Sequence, residues 1–122
     1  PIQTRALAVQ RKAICDMLKT SLKLAGHKVK VALNGKDALS SINEHIDVVI
    51  TDIFMPEQDG FETILLLKER APQAKIIAIS GGAYFDPRNT LKTAEHLGAH
   101  FGFNKPFDLS ELLEKVDALA AE

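Results

Sequence analysis

The sequence predicts an α/β fold with a doubly wound parallel sheet, and two observations carry that prediction. Short apolar runs that fit buried strands alternate along the chain with segments of helical spacing. Each change of period is marked by a glycine, a proline or a capping side chain, with no linker or low-complexity tract between units. The pattern gives five strands alternating with five helices, which implies right-handed crossovers and a sheet covered on both faces. Five such units suit the flavodoxin-like (βα)5 arrangement with strand order 2-1-3-4-5.

The elements follow in order. Arg5-Ala6-Leu7-Ala8-Val9 is a short apolar run, a candidate buried strand. Ile14, Leu18 and Leu22 recur at helical spacing, and Gly26 stands where a helix C-terminal glycine belongs. His27-Lys28-Val29-Lys30-Val31 alternates, as expected of a strand nearer the sheet edge. Asn34 caps a short helix from Gly35 to about Asn43. Ile46-Asp47-Val48-Val49-Ile50 is strongly β-branched and reads as the central strand. Asp59 with Glu62 is a capping-box pattern for a third helix, which Pro72 stops. Lys75-Ile76-Ile77-Ala78-Ile79 is a fourth strand ended by Gly81-Gly82. Asp86-Pro87 opens a fourth helix carrying Leu91, Ala94 and Leu97, and Gly98 closes it. His100 to Phe103 is a short fifth strand, and Asp108 with Glu111 starts an amphipathic last helix.

Composition narrows the classes of function. A chain of 122 residues is one domain's worth, with 46 % apolar and 25 % charged residues, and is expected to be a single domain over residues 1–122. The net charge of −1 makes no electrostatic case for nucleic-acid binding. No apolar run approaches a membrane span and no signal peptide is evident, so the expected location is the cytoplasm. The lone cysteine, Cys15, excludes an internal disulfide and reads as an inert core residue. His27, His45, His96 and His100 lack metal-ligand spacing. The chain begins without Met, as expected of a fragment of a longer protein.

In a doubly wound sheet the ligand site lies at the carboxyl ends of the strands. Those ends are Val9 to Lys12, Thr51 to Phe54, Ser80 to Gly82 and Asn104 to Pro106. Three polar residues there follow apolar strands directly: Asp52, Ser80 and Lys105. A carboxylate so placed can attack a phosphoryl group. A hydroxyl can hydrogen-bond the transferred group, and an ammonium can neutralise its charge. Singly, each has an ordinary reading as turn or loop chemistry; together, on neighbouring strand ends, they point to a site.

At these residues the sequence resembles the receiver domains of two-component response regulators, over essentially its whole length. The resemblance rests on Asp47-Val48-Val49-Ile50-Thr51-Asp52, with Met55-Pro56 and Asp59-Gly60 at the family's offsets. It extends to Ile77-Ala78-Ile79-Ser80-Gly81, Gly98-Ala99 and Asn104-Lys105-Pro106-Phe107. It implies that a sensor histidine kinase or phosphotransfer protein donates a phosphoryl group to Asp52. Ser80 then moves toward the phosphoryl oxygens, Lys105 pairs with them, and a downstream protein target binds one state better than the other. It also implies Mg²⁺, held by Asp52, the backbone carbonyl of Phe54 and acids after the first strand. The chain would be a phosphoacceptor that promotes its own phosphoryl transfer rather than a conventional enzyme. A homodimer through the fourth-to-fifth element face is a further partner the family suggests; direct nucleic-acid or membrane contact is not expected.

The sequence departs from the family in three places. The two consecutive acids after the first strand are missing. The strand-to-helix loop is one residue short, so they correspond either to Val9-Gln10 or to Gln10-Arg11, and neither choice restores an acid. Mg²⁺ prefers hard carboxylate ligands, so binding is expected to be weak or absent. Arg11 or Lys12 either places a cation near Asp52 or points to solvent. Second, Gly102 stands three residues before Lys105, where the family often has an aromatic ring, and flanking Phe101 and Phe103 fall on the opposite strand face. Third, the segment from Gly81 to Arg88 is long and glycine-rich, with Tyr84 and Phe85 either packing inward or facing a partner.

The alternative within the family is a degenerate receiver that acts as a phosphorylation-independent interaction module. Other Asp or phosphate chemistries fit less well. A haloacid-dehalogenase-type phosphatase needs a second Asp at Phe54, and an FMN carrier needs a Ser/Thr/Gly loop where Gln10-Arg11-Lys12-Ala13 stands.

Overall fold

Five strands make one sheet: β1 (Arg5–Val9), β2 (Lys28–Ala32), β3 (Val48–Asp52), β4 (Lys75–Ser80) and β5 (Phe101–Asn104). Every pairing is parallel and the order is β2-β1-β3-β4-β5, as expected. The computed structural model describes residues 5–10, 12–42, 45–53, 60–80, 92, 94–96, 98–104 and 107–121. Helices α1 (Lys12–Leu24), α2 (Gly35–Ser41), α3 (Gly60–Arg70) and a C-terminal helix (Leu109–Ala120) flank the sheet. Residues 92 and 94–96 are helical, within the expected fourth helix. Its Asp86-Pro87 start, with Leu91 and Leu97, lies outside the described residues, as do Asp59, Tyr84 and Phe85.

The sheet order explains the strand compositions. β3 is central and all five of its residues are buried, which matches a continuous apolar run covered on both faces. β2 is an edge strand with mostly exposed residues, which matches its alternating Lys and Val. Alternation divides the core in two. Leu7, Val9, Val49, Ile53, Ile76 and Ala78 pack on the side of α2 and α3. Ala6, Ala8, Val48, Ile50, Ile77 and Ile79 pack on the side of α1 and the C-terminal helix. Leu18 and Leu22 from α1, and Leu112 and Val116 from the last helix, fill that second layer.

Caps set the helix ends. Asn34 Oδ1 accepts the Asp37 N–H at 2.8 Å, satisfying one orphan donor of α2. Gly26, at φ 95°, ends α1; its N–H bonds Lys23 O and His27 N–H bonds Leu22 O, each at 3.0 Å, the Schellman pattern. Asp108 is the N-cap of the last helix, but its carboxylate accepts the Ser110 N–H at 2.8 Å. The expected capping box with Glu111 is therefore replaced by a shorter reach within the first turn.

The central strand begins at Val48 rather than Ile46, and Asp47 is the reason. Its Oδ2 accepts the Arg5 N–H at 2.9 Å, while its backbone joins Arg5 O and the Lys75 N–H, both at 2.8 Å. Asp47 thus ties the starts of β1, β3 and β4 together, at the end of the sheet opposite the carboxyl ends.

Candidate functional site

Because all five strands are parallel, their carboxyl ends share one edge. Asp52 is the last residue of β3 and is 3 % exposed. Its partner on β4 is Ile79, and Ile53 N–H bonds Ile79 O at 3.0 Å. On the other side Val9 of β1 pairs with Thr51, so the next residue, Gln10, stands beside Asp52, about 4.8 Å away backbone to backbone. Gln10 shares a strand face with Ala6 and Ala8, and Asp52 with Val48 and Ile50, and these four belong to one core layer. Register and alternation therefore place Gln10 and Asp52 on the same side of the sheet.

This register bears on the missing acids. Of the candidate positions Val9, Gln10 and Arg11, Val9 packs in the opposite core layer. Gln10 is the described residue aligned with Asp52. It is fully buried, and neither Oε1 nor Nε2 has a hydrogen-bond partner among the described residues. Its backbone is fixed: the N–H bonds Ala32 O at 3.2 Å, and the carbonyl accepts the Cys15 thiol at 3.2 Å. Lys12 is exposed at the start of α1; Arg11 lies outside the described residues.

Cys15 is buried beneath this corner, as expected of an inert core thiol. Burial pushes the thiol above its ordinary value of 9.0; a backbone hydrogen bond at Gln10 opposes the rise and the charge of Asp16 adds to it.

Ser80 ends β4, 3 % exposed, with its backbone opposite Asn104 of β5. It therefore sits at the strand end next to Asp52, as expected. Alternation sets its side chain with Ile76 and Ala78, in the layer opposite that of Asp52. Bringing the hydroxyl to a group on Asp52 requires the end of β4 to shift. Lys105 follows β5 directly but lies outside the described residues, as does Phe54, whose carbonyl was the other expected metal ligand.

Gly102 pairs with Ala78, so no ring occupies that position. Phe101 and Phe103 are half-buried, with ring centroids 5.0 Å apart. Phe103 belongs to the layer under the C-terminal helix, and Lys115 Nζ lies 4.1 Å from the Phe101 ring centre. Both flanking aromatics are thus engaged with that helix and not with the face of Gly102.

The resemblance implies Mg²⁺. Mg²⁺ favours oxygen ligands with one or two carboxylates and near-octahedral geometry. Beside Asp52 the register offers a neutral carboxamide, and no cluster of three or more acid, His or Cys ligands occurs among the described residues. The described residues do not fit a Mg²⁺ site.

Comparison with known proteins places the chain in a class. A sequence model of the response regulator receiver domain matches residues 9–117, and the chain belongs to that family. Response regulator SaeR of Staphylococcus aureus (strain USA300) is 30 % identical over 113 residues, covering 87 % of this chain and 45 % of the relative. The chain thus spans under half the length of the curated relatives it matches. The receiver domain of the Francisella response regulator 1452 is 28 % identical, covers 98 % of each chain and superposes with a TM-score of 0.85. A response regulator from Thermotoga maritima is 27 % identical, with coverage of 99 % and 100 % and a TM-score of 0.85. This is a receiver domain of the two-component type, consistent with phosphorelay signalling, in a family that typically uses Mg²⁺ and works with kinases and effectors. Among the described residues no helix is long and apolar enough to cross a membrane.

Proposed function

We propose that this chain is a phosphorylation-switched receiver whose acceptor is Asp52. The observation that supports it most is the position of Asp52: the last residue of the central strand, buried, with Ser80 at the neighbouring strand end, in a chain of the receiver family. A carboxylate oxygen of Asp52 attacks the phosphorus of a phosphohistidine on a kinase or phosphotransfer protein. A P–O bond forms, the P–N bond breaks with its electron pair leaving on the imidazole, and that nitrogen then takes a proton from water. The product is an acyl phosphate on Asp52. The chain supplies nucleophile and positioning, and is not a conventional enzyme.

Ser80 and Lys105 are the proposed partners of the phosphoryl oxygens. The end of β4 must shift for Ser80 to reach them, and that shift passes to β5 through the pairing of Ser80 with Asn104. Beside β5 lies a groove lined by Phe101, Phe103, Glu111, Glu114, Lys115 and Ala118, a surface on which a target can distinguish the two states. With Phe101 and Phe103 held under the last helix, the signal travels through backbone rather than by rotation of a ring.

A second reading has one observation in its favour. The neutral, buried Gln10 beside Asp52 suits a degenerate receiver that binds partners without phosphorylation. Intact-protein mass after incubation with acetyl phosphate, with and without Mg²⁺, separates the two readings. The proposed function expects a gain of one phosphoryl group in the wild type and none in Asp52→Ala. If neither acetyl phosphate nor a panel of phosphorylated kinases adds that mass, the interaction-module reading replaces it.

A further inference from the structure

We propose that Gln10 closes the Asp52 site to divalent metal, making it a metal-independent anion site. The inference deepens the reading of Asp52 given above, but metal exclusion itself does not depend on phosphorylation. It stands on three observations. The β1–β3 register ends with Val9 paired to Thr51, and one step further along both chains brings Gln10 next to Asp52. Gln10 is fully buried and Asp52 nearly so. The Gln10 carboxamide has no hydrogen-bond partner among the described residues, so no described group holds it away from whatever occupies the site.

The chemistry of the group decides what it does there. A carboxylate at this position would give a divalent ion a second negative oxygen ligand. A carboxamide gives one neutral oxygen and two N–H donors. Those donors suit an anion: the oxygens of a phosphoryl group on Asp52 accept them as charge-assisted bonds. The Gln10 side chain is fully buried, and its backbone is held by the bonds from its N–H to Ala32 O and from the Cys15 thiol to its carbonyl. The chemistry of a carboxamide at this register position suits an oxyanion on Asp52 rather than Mg²⁺.

The test is a Mg²⁺ titration of the unphosphorylated protein, followed by calorimetry and by backbone amide shifts, on wild type, Gln10→Asp, Gln10→Glu and Gln10→Asp combined with Asp52→Asn. Wild type is expected to show no saturable binding through the millimolar range. Gln10→Asp is expected to bind roughly tenfold tighter or more, since affinity follows the charge count of the ligands, and to lose the gain with Asp52→Asn. The glutamate variant covers the case in which the shorter side chain disturbs the fold. Wild-type saturation at the affinity of Gln10→Asp would overturn the proposal. So would folded aspartate and glutamate variants that gain nothing over wild type. Failure of the two readings is distinguishable: a protein that binds no Mg²⁺ and takes no phosphoryl group loses only the acceptor role, and one phosphorylated with saturable Mg²⁺ binding loses only the metal exclusion.

Discussion

Replacing Gln10 with methionine should make the protein more stable. The carboxamide is fully buried, with neither polar atom partnered among the described residues. Leaving such a group without a partner costs about 1–3 kcal/mol relative to the hydrated unfolded chain. Methionine has a similar reach, is unbranched and adapts to irregular space, so it removes the polar atoms with little change of volume. Unfolding entropy of about 2.1 cal/mol/K per residue, over 122 residues, makes each kcal/mol worth about 4 °C. The expected rise in Tm for Gln10→Met is therefore about 4–12 °C, read by scanning calorimetry and supported by a higher urea midpoint at unchanged m-value. A variant that melts at or below the wild-type temperature would refute the reasoning, because it would mean that the carboxamide is well bonded in the folded state. A gain in stability would mark Gln10 as a residue held against the interests of the fold, as expected of a site residue.

Two further predictions concern positions around the framework. Gly98→Ala should destabilise more than Gly26→Ala: both glycines have positive φ, but a Cβ at Gly98 meets Lys68 Cγ at 2.5 Å while one at Gly26 meets open space. About 1 kcal/mol is expected at Gly26 and about 1–3 kcal/mol at Gly98, and equal urea midpoints for the two variants would contradict the role given to Lys68. Cys15, whose thiol is raised above 9.0 mainly by burial, should resist alkylation in the folded protein and react fully in denaturant. Because the folded state holds that proton more tightly, its contribution to stability is complete below pH 9 and is lost as pH rises through the raised value; rapid native-state labelling at pH 8 would count against the buried placement.

Much of the fold was legible because it rests on local rules. The order of elements followed from the change between strand and helix periods, and the position of β2 at the edge from its alternating Lys and Val. The positive φ at Gly26 followed from its place after an amphipathic run. Where the reading slipped, a contact that residue spacing does not reveal had intervened. Ile46 and Asp47 have strand-like composition, yet the carboxylate of Asp47 caps the start of β1 and its backbone carbonyl accepts from the start of β4, and the strand begins at the next residue, Val48. Asp108 and Glu111 have capping-box spacing, yet the nearer N–H of Ser110 takes the bond.

The site divides in the same way. Sequence by itself determined which residues lie at strand ends, and hence that Asp52, Ser80 and Lys105 are candidates, because a parallel sheet gathers its carboxyl ends on one edge. It also determined that the acids after β1 are missing. It could not decide whether Val9, Gln10 or Arg11 faces the acceptor, because residue spacing in one strand says nothing about register against another. Only the pairing of Val9 with Thr51 placed Gln10 beside Asp52, and only the packing around it showed a carboxamide buried there. Likewise, Ser80 is a neighbour of Asp52 in sequence logic but lies on the other face of the sheet, because pleating sends residues one register step apart to opposite sides.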